Sequence, residues 1–304
     1  MINTIAAGNT HSLGLQSDGK ILGWGNNVSG QTNCPDEPFV AISAGPYHSL
    51  GLRADGKVFG WGDNEYGQIN CPDEPFIVIA AGGYHSLGLR ADGKLFGWGS
   101  NANCQIECPD EKFIAIAAGS AHSLGLQSDG KVIGWGHNAD GQIKCPDEPF
   151  IAIAAGDWHS LGLRADGKVI GWGDNEYGQI KSPDEKFIAI AVGYQHSLGL
   201  RADGKVFGWG AKYAGQINCP DEPFVAIASC RYHFLGLRAD GKVFGWGVNR
   251  HGEVNCPVEK IALPYDFLGR LNKNVKVLCR MPKYIKMEIL EDYTEWEFRD
   301  LYYL

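Results

Sequence analysis

Read for polarity alone, the chain repeats one rhythm: short apolar runs that alternate bulky with small or polar residues, separated by Gly, Asp, Asn and Pro. Residues 39–75 show the unit as FVAISAG, a variable pair, HSLGLR, ADGK, VFGWG, four variable residues, GQIN and CPDEP. None of the runs is long enough for an ordinary helix, and each follows a period of two. The unit therefore predicts four short antiparallel strands. On the second, His48, Leu50 and Leu52 share one face while Ser49 and Gly51 share the other; on the third, Phe59 and Trp61 oppose Val58, Gly60 and Gly62. A bulky face opposite a nearly bare one is what a closely approaching neighbour sheet requires. Between these two strands stands an Asp-Gly step, a residue pair suited to the positive φ of a tight hairpin.

The rhythm is strictly periodic. His11, His48, His85, His122, His159, His196 and His233 are each 37 residues apart, and Trp24, Trp61, Trp98, Trp135, Trp172, Trp209 and Trp246 keep step. Seven four-stranded units at a fixed period near 40 residues are the signature of propeller blades. The expected fold is all-β: a seven-bladed β-propeller of four-stranded antiparallel blades over 1–263, followed by a short C-terminal extension over 264–304. Ile2 to Gly8 would supply the first strand of blade one, and residues 253–255 the last strand of blade seven. Lys260 to Leu263 begins a degenerate eighth copy, whose part in closing the ring the sequence leaves open.

Composition narrows the function classes. At 304 residues and 44% apolar content the chain can bury a large core, and a net charge of −8 disfavours a broad basic footprint for nucleic acid. No apolar run approaches the ~18 residues of a membrane-crossing helix. The start, MINTIAAG, lacks the basic and apolar regions of a secretory signal. A soluble cytoplasmic monomer is expected, with the nucleus as the alternative compartment. Cys34, Cys71, Cys108, Cys145, Cys219 and Cys256 share one repeat position, where the fifth repeat has Ser182; Cys104 and Cys230 replace glycines, and Cys279 lies in the extension. Spread around a ring, they read as reduced thiols. The extension is basic from Arg270 to Lys286, then acidic with interleaved aromatics, and would dock on the propeller or on a partner.

The motif AGxxHSLGLxxDGKVxGWGxNxxGQ closely resembles the repeat of the regulator of chromosome condensation family over about residues 2–257. It is similar also to the short-repeat bacterial branch that includes the β-lactamase-inhibiting propellers. The resemblance implies a seven-bladed propeller and, as an alternative function, guanine-nucleotide exchange on a small GTPase. Exchange factors of this family use a wedge inserted in one blade, and no repeat here has an insertion.

The recurring His-Ser step invites a catalytic reading. It occurs in six repeats and becomes His233-Phe234 in the seventh, and no copy is distinguished as a nucleophile with its base. A framework role is expected instead, the histidine bridging strands within each blade and the hydroxyl bonding locally. One Cys per repeat does not converge on a metal, Cys104 and Cys108 form the single close pair, and no nucleotide-binding motif is present. No catalysis, metal or cofactor is expected.

Function is better sought where the copies differ. The pair before each histidine and the four residues after each Trp-Gly vary, and meander topology puts both sets at one end of the disc. There lie Tyr47, Tyr66, Tyr84, Trp158, Tyr177, Tyr194, Tyr213, Arg231, Tyr232 and Arg250. Tyr, Trp and Arg dominate interface hot spots, so these ten are the expected partner-binding residues. The alternative is loop drift, with aromatics capping blade ends. The expected function is a non-enzymatic scaffold for a protein partner, a small GTPase among the candidates. An adaptor or substrate-recognition subunit of a larger complex is a further alternative.

Overall fold

The Asp-Gly steps are hairpins. In the computed structural model, which describes residues 3–213, 215 and 217–264, all seven glycines of these steps have φ between 82° and 93°. The aspartate holds the turn: Lys20 N donates to Asp18 Oδ1 at 3.0 Å. The flanking runs pair into seven antiparallel sheets. Blade one consists of Ile5–Ala7, His11–Leu15 and Ile21–Gly25; blade two of Ala41–Ala44, His48–Leu52 and Val58–Gly62; blade seven of Ala226–Ser229, His233–Leu237 and Val243–Gly247. In blade two, His48 lies opposite Gly62 and Ser49 opposite Trp61. Each inner strand meets the inner strand of the next blade, and the first meets the last. The fold is the expected seven-bladed all-β ring.

One expectation is corrected. Each blade has three strands, not four, because the GQIN segment turns on itself. Gly67 takes φ 80°, Asn70 N donates to Gly67 O at 3.0 Å, and Cys71 N donates to Ile69 O at 2.8 Å. The carbonyl of Gln68 turns to the next blade, where it accepts Ser86 Oγ and Trp98 Nε1, both at 2.9 Å. Residues 253–255 likewise form no strand; Asn255 N donates back to Gly252 O at 3.0 Å.

The bare face of the middle strand is filled by phenylalanine. Phe39, Phe76, Phe113, Phe150, Phe187 and Phe224 are buried at 1–3% exposure. Each lies on its own blade's glycine, and a Cβ on Gly51 would stand 2.6 Å from the Phe39 ring. Burying a side chain of this size contributes about 2–3 kcal/mol. Blade one has no such phenylalanine before it, and Ile261 takes the place, 2% exposed and against Gly14. Its backbone copies the pattern too. Ile261 N donates to Gly241 O and Ala262 N to Leu15 O, both at 2.8 Å, as Phe39 N does to Gly19 O and Val40 N to Leu52 O. The eighth partial copy therefore latches the ring by bonding to the middle strand of blade one, with Ile261 packed in one cluster with Ile5 and Ala7 of the N-terminal strand. Residues 265–304, with Cys279 and almost all of the expected extension, lie outside the described residues, as does Ile2.

Candidate functional site

The repeating histidine points across the seam between blades. His48 Nε2 is 3.0 Å from Ser86 Oγ of the next blade, and Ser86 Oγ donates to Gln68 O. A hydroxyl has one proton, here committed to the carbonyl, so the imidazole donates from Nε2 and leaves Nδ1 bare. The same relay joins six of the seven seams, including the closing one, where Ser12 Oγ is 2.8 Å from His233 Nε2 and donates to Glu253 O. The expectation of a bridge within each blade, with a locally bonded hydroxyl, is thus corrected: both groups bond between blades. At the seventh seam Phe234 replaces serine and packs edge-on to His196, with ring centres 4.6 Å apart.

Burial holds these imidazoles neutral. It lowers the pKa of His11, His48, His122 and His196 to about 3 and that of His85, His159 and His233 to about 4. With both His and Ser at 0–1% exposure, no external substrate reaches the hydroxyl, which is already spent on the seam. The shared cysteine position is equally quiet, burial pushing its thiols up to about 11 or 12. At the equivalent place Ser182 Oγ donates to Val169 O at 2.7 Å. The eight described cysteines are free, and among the described residues no three His, Cys, Asp or Glu side chains converge.

The two variable sets are joined backbone to backbone. Asp63 N donates to Tyr47 O at 3.0 Å, and the same bond links Asn26 to Thr10, Ser100 to Tyr84, His137 to Ala121, Asp174 to Trp158, Ala211 to Gln195 and Val248 to Tyr232. Both sets thus share one face of the disc. The loops are braced from within: Gln68 Nε2 donates to Asp63 Oδ2 at 2.7 Å, and Tyr66 N donates to Gln68 Oε1 at 2.9 Å. The identical loop at Tyr177 repeats both bonds through Gln179. In blade seven the first loop residue is Val248, which offers no side-chain acceptor, and Glu253 replaces the glutamine, accepting from His251 N at 2.7 Å.

The ten expected binding residues fall into groups. Tyr84 touches both Tyr47 and Tyr66, with ring centres 6.2 and 5.1 Å apart. Tyr177 meets Tyr213 edge-on at 5.6 Å. Tyr194 meets Tyr232 at 6.0 Å and carries the Arg231 guanidinium 5.6 Å from its centre. Trp158 stands apart from the other nine, edge-on to His137 at 5.7 Å. Arg250 is exposed on the loop of blade seven.

One further residue of this face, Asp157, is not among those ten. It is buried beside the narrow axial cavity, which small residues at the ends of the inner strands, such as Ala44, Gly45, Ala81 and Gly82, line. Arg231 Nε lies 2.7 Å from its Oδ2, without the alignment of a hydrogen bond, so charge holds the pair. Burial raises the Asp157 pKa and Arg231 opposes that rise. The signal was there: the seven variable pairs contain one acid, Asp157, and one base, Arg231.

The opposite face is uniform. Arg53 meets Glu37 at 2.8 Å and Lys57 meets Asp73 at 2.9 Å, and closely similar exposed pairs recur in most other blades. Surface pairs of this kind contribute little individually.

A family model described as Regulator of chromosome condensation (RCC1) repeat matches seven times, at residues 2–31, 39–68, 76–105, 113–142, 150–179, 187–216 and 224–253. No curated protein matches the chain. Among solved structures, the ectodomain of the receptor kinase ACR4 from Arabidopsis thaliana is similar at 23% identity and a TM-score of 0.71, over 85% of this chain and 99% of that one. Prp20p from Saccharomyces cerevisiae is similar at 18% identity and a TM-score of 0.65, over 95% of this chain and 85% of that one. At these identities the likeness is one of fold.

Proposed function

The chain belongs to the regulator of chromosome condensation repeat family, and from that premise we propose that it is a non-catalytic module that binds a protein partner through its variable-loop face. The observation that carries this reading is the contrast between the two faces. All seven blades keep the same hairpins and nearly the same cross-seam bonds, whereas the braced loops of one face vary among the blades, blades two and five alone sharing the loop after Trp-Gly, and gather Tyr, Trp and Arg. Loops braced before binding lose less entropy on association. Commitment of each His-Ser pair to a seam supports the absence of catalysis.

Prp20p has binding properties to Gsp1p and histones, which makes a small GTPase a first partner to test. No exchange activity is assigned, since no repeat carries an insertion. The protein is proposed to act as a cytoplasmic monomer.

A photo-crosslinking residue placed at Tyr66 or Tyr177, and in a third variant at Asp129 in a hairpin of the opposite face, tests the reading. The first two are expected to trap the same polypeptide and the third none. Equal trapping from Asp129 would overturn it.

A further inference from the structure

Arg231 is held on two sides and open on a third. Its Nε faces Asp157 Oδ2 at 2.7 Å and its guanidinium lies 5.6 Å from the centre of the Tyr194 ring. Neither terminal nitrogen, Nη1 nor Nη2, finds a hydrogen-bond acceptor among the described residues, while the side chain keeps 29% exposure. A guanidinium presents its donors as a rigid fork that matches a carboxylate with two parallel bonds. Here the fork is positioned in advance and unfilled.

The surroundings supply donors and positive charge. Tyr47 Oη accepts from Asn9 Nδ2 at 3.3 Å, which leaves its own proton to donate. Arg231 also acts on the neighbouring Tyr84 phenol, against the upward push of burial. The variable loops of blades six, seven and one carry Lys212, Arg250 and His251, and the acid beneath them, Glu253, is buried and accepts from His251 N, whereas Asp63, Glu65, Asp140, Asp174 and Glu176 sit on the loops of blades two, four and five. The one carboxylate beside the fork, Asp157, is already engaged.

We infer that this sector receives an acidic segment of the protein partner, one carboxylate of which binds Arg231 through its two terminal nitrogens. The inference rests on the variable face being the binding surface. A carboxylate fits better than a phosphate, because a second charge on the ligand would double its repulsion from Asp157 on the same guanidinium.

The test is a titration of the full chain, following the Arg231 side-chain N–H signals by NMR. The probes are the capped tripeptide Glu-Glu-Glu, its Gln-Gln-Gln counterpart and a capped phosphoserine peptide. The glutamate peptide should shift these signals saturably and the glutamine peptide should not. Arg231→Lys, which keeps the charge and loses the fork, should weaken the glutamate peptide about tenfold, as expected for one bidentate charge-assisted pair. Arg250→Gln, at an exposed position of the blade-seven loop, should weaken it by a smaller factor with the fold intact. Equal response to the glutamine peptide, preference for phosphoserine, or an unchanged affinity in Arg231→Lys would overturn the inference. Applied to the trapped partner, the same variant separates two failures. Loss of binding in Tyr47→Ala/Tyr84→Ala/Trp158→Ala with none in Arg231→Lys sinks the anchor alone, and no loss in either sinks the face.

Discussion

At the scale of single residues, the buried histidines govern the response to acid. An imidazole in the unfolded chain titrates near 6.5, while in the folded ring the seven stay neutral down to about 3 or 4. As the pH falls below 6.5, protons bind the unfolded chain first. Stability is therefore complete above that value and is lost toward pH 4, by up to about 1.4 kcal/mol per histidine per pH unit. Urea unfolding midpoints measured between pH 7.5 and 4.5 should fall ever more steeply. A midpoint that does not move between pH 7 and 5 would show that the imidazoles are not buried neutral. Repetition in the sequence exposed these histidines as framework but not the direction of their bonds. A histidine and the serine it meets are 38 residues apart, or 221 at the closing seam, and spacing alone does not tell which neighbouring sheet a side chain faces.

At the scale of elements, hairpins and alternating strands were legible because each rests on local chemistry, Asp-Gly for φ and period two for the faces. The fourth strand was not. GQIN alternates like an edge strand, and its fate was decided by Trp and Ser of the following blade, which take the glutamine carbonyl. The latch was half legible: Lys260 to Leu263 looked like the start of an eighth copy, and only packing showed that Ile261 fills the phenylalanine position over Gly14. Ile261→Ala should therefore cost about 2–4 kcal/mol, as truncation of a buried side chain does. Hydrogen exchange in that variant should speed up first in His11–Leu15 and Ile5–Ala7. Exchange that quickens evenly in all blades would show that the ring does not depend on this closure.

At the scale of the whole molecule, the ring separates a uniform face from an individual one. The His-Ser-carbonyl relays hold the blades in register, and the variable pairs add backbone bonds across the seams that do not depend on side-chain identity, as Asn9 N to Pro46 O at 3.2 Å, which leaves the side chains of that face free to diverge. Most of the candidate site was legible, since aromatics at variable positions stand out against seven near-identical copies. The grouping of Tyr47, Tyr66 and Tyr84, and the pairing of Asp157 with Arg231 two blades away, were not, because they depend on the ring's curvature. The most direct test of the account is calorimetric titration of the crosslink-identified partner against two variants that melt like the parent: Tyr47→Ala/Tyr84→Ala/Trp158→Ala on the variable face, and Arg53→Ala/Arg90→Ala/Arg164→Ala on the uniform one. The first should lose at least a hundredfold in affinity, about 2.7 kcal/mol, and the second should bind unchanged. Full affinity in the first variant, or a comparable loss in the second, would contradict binding through the variable face.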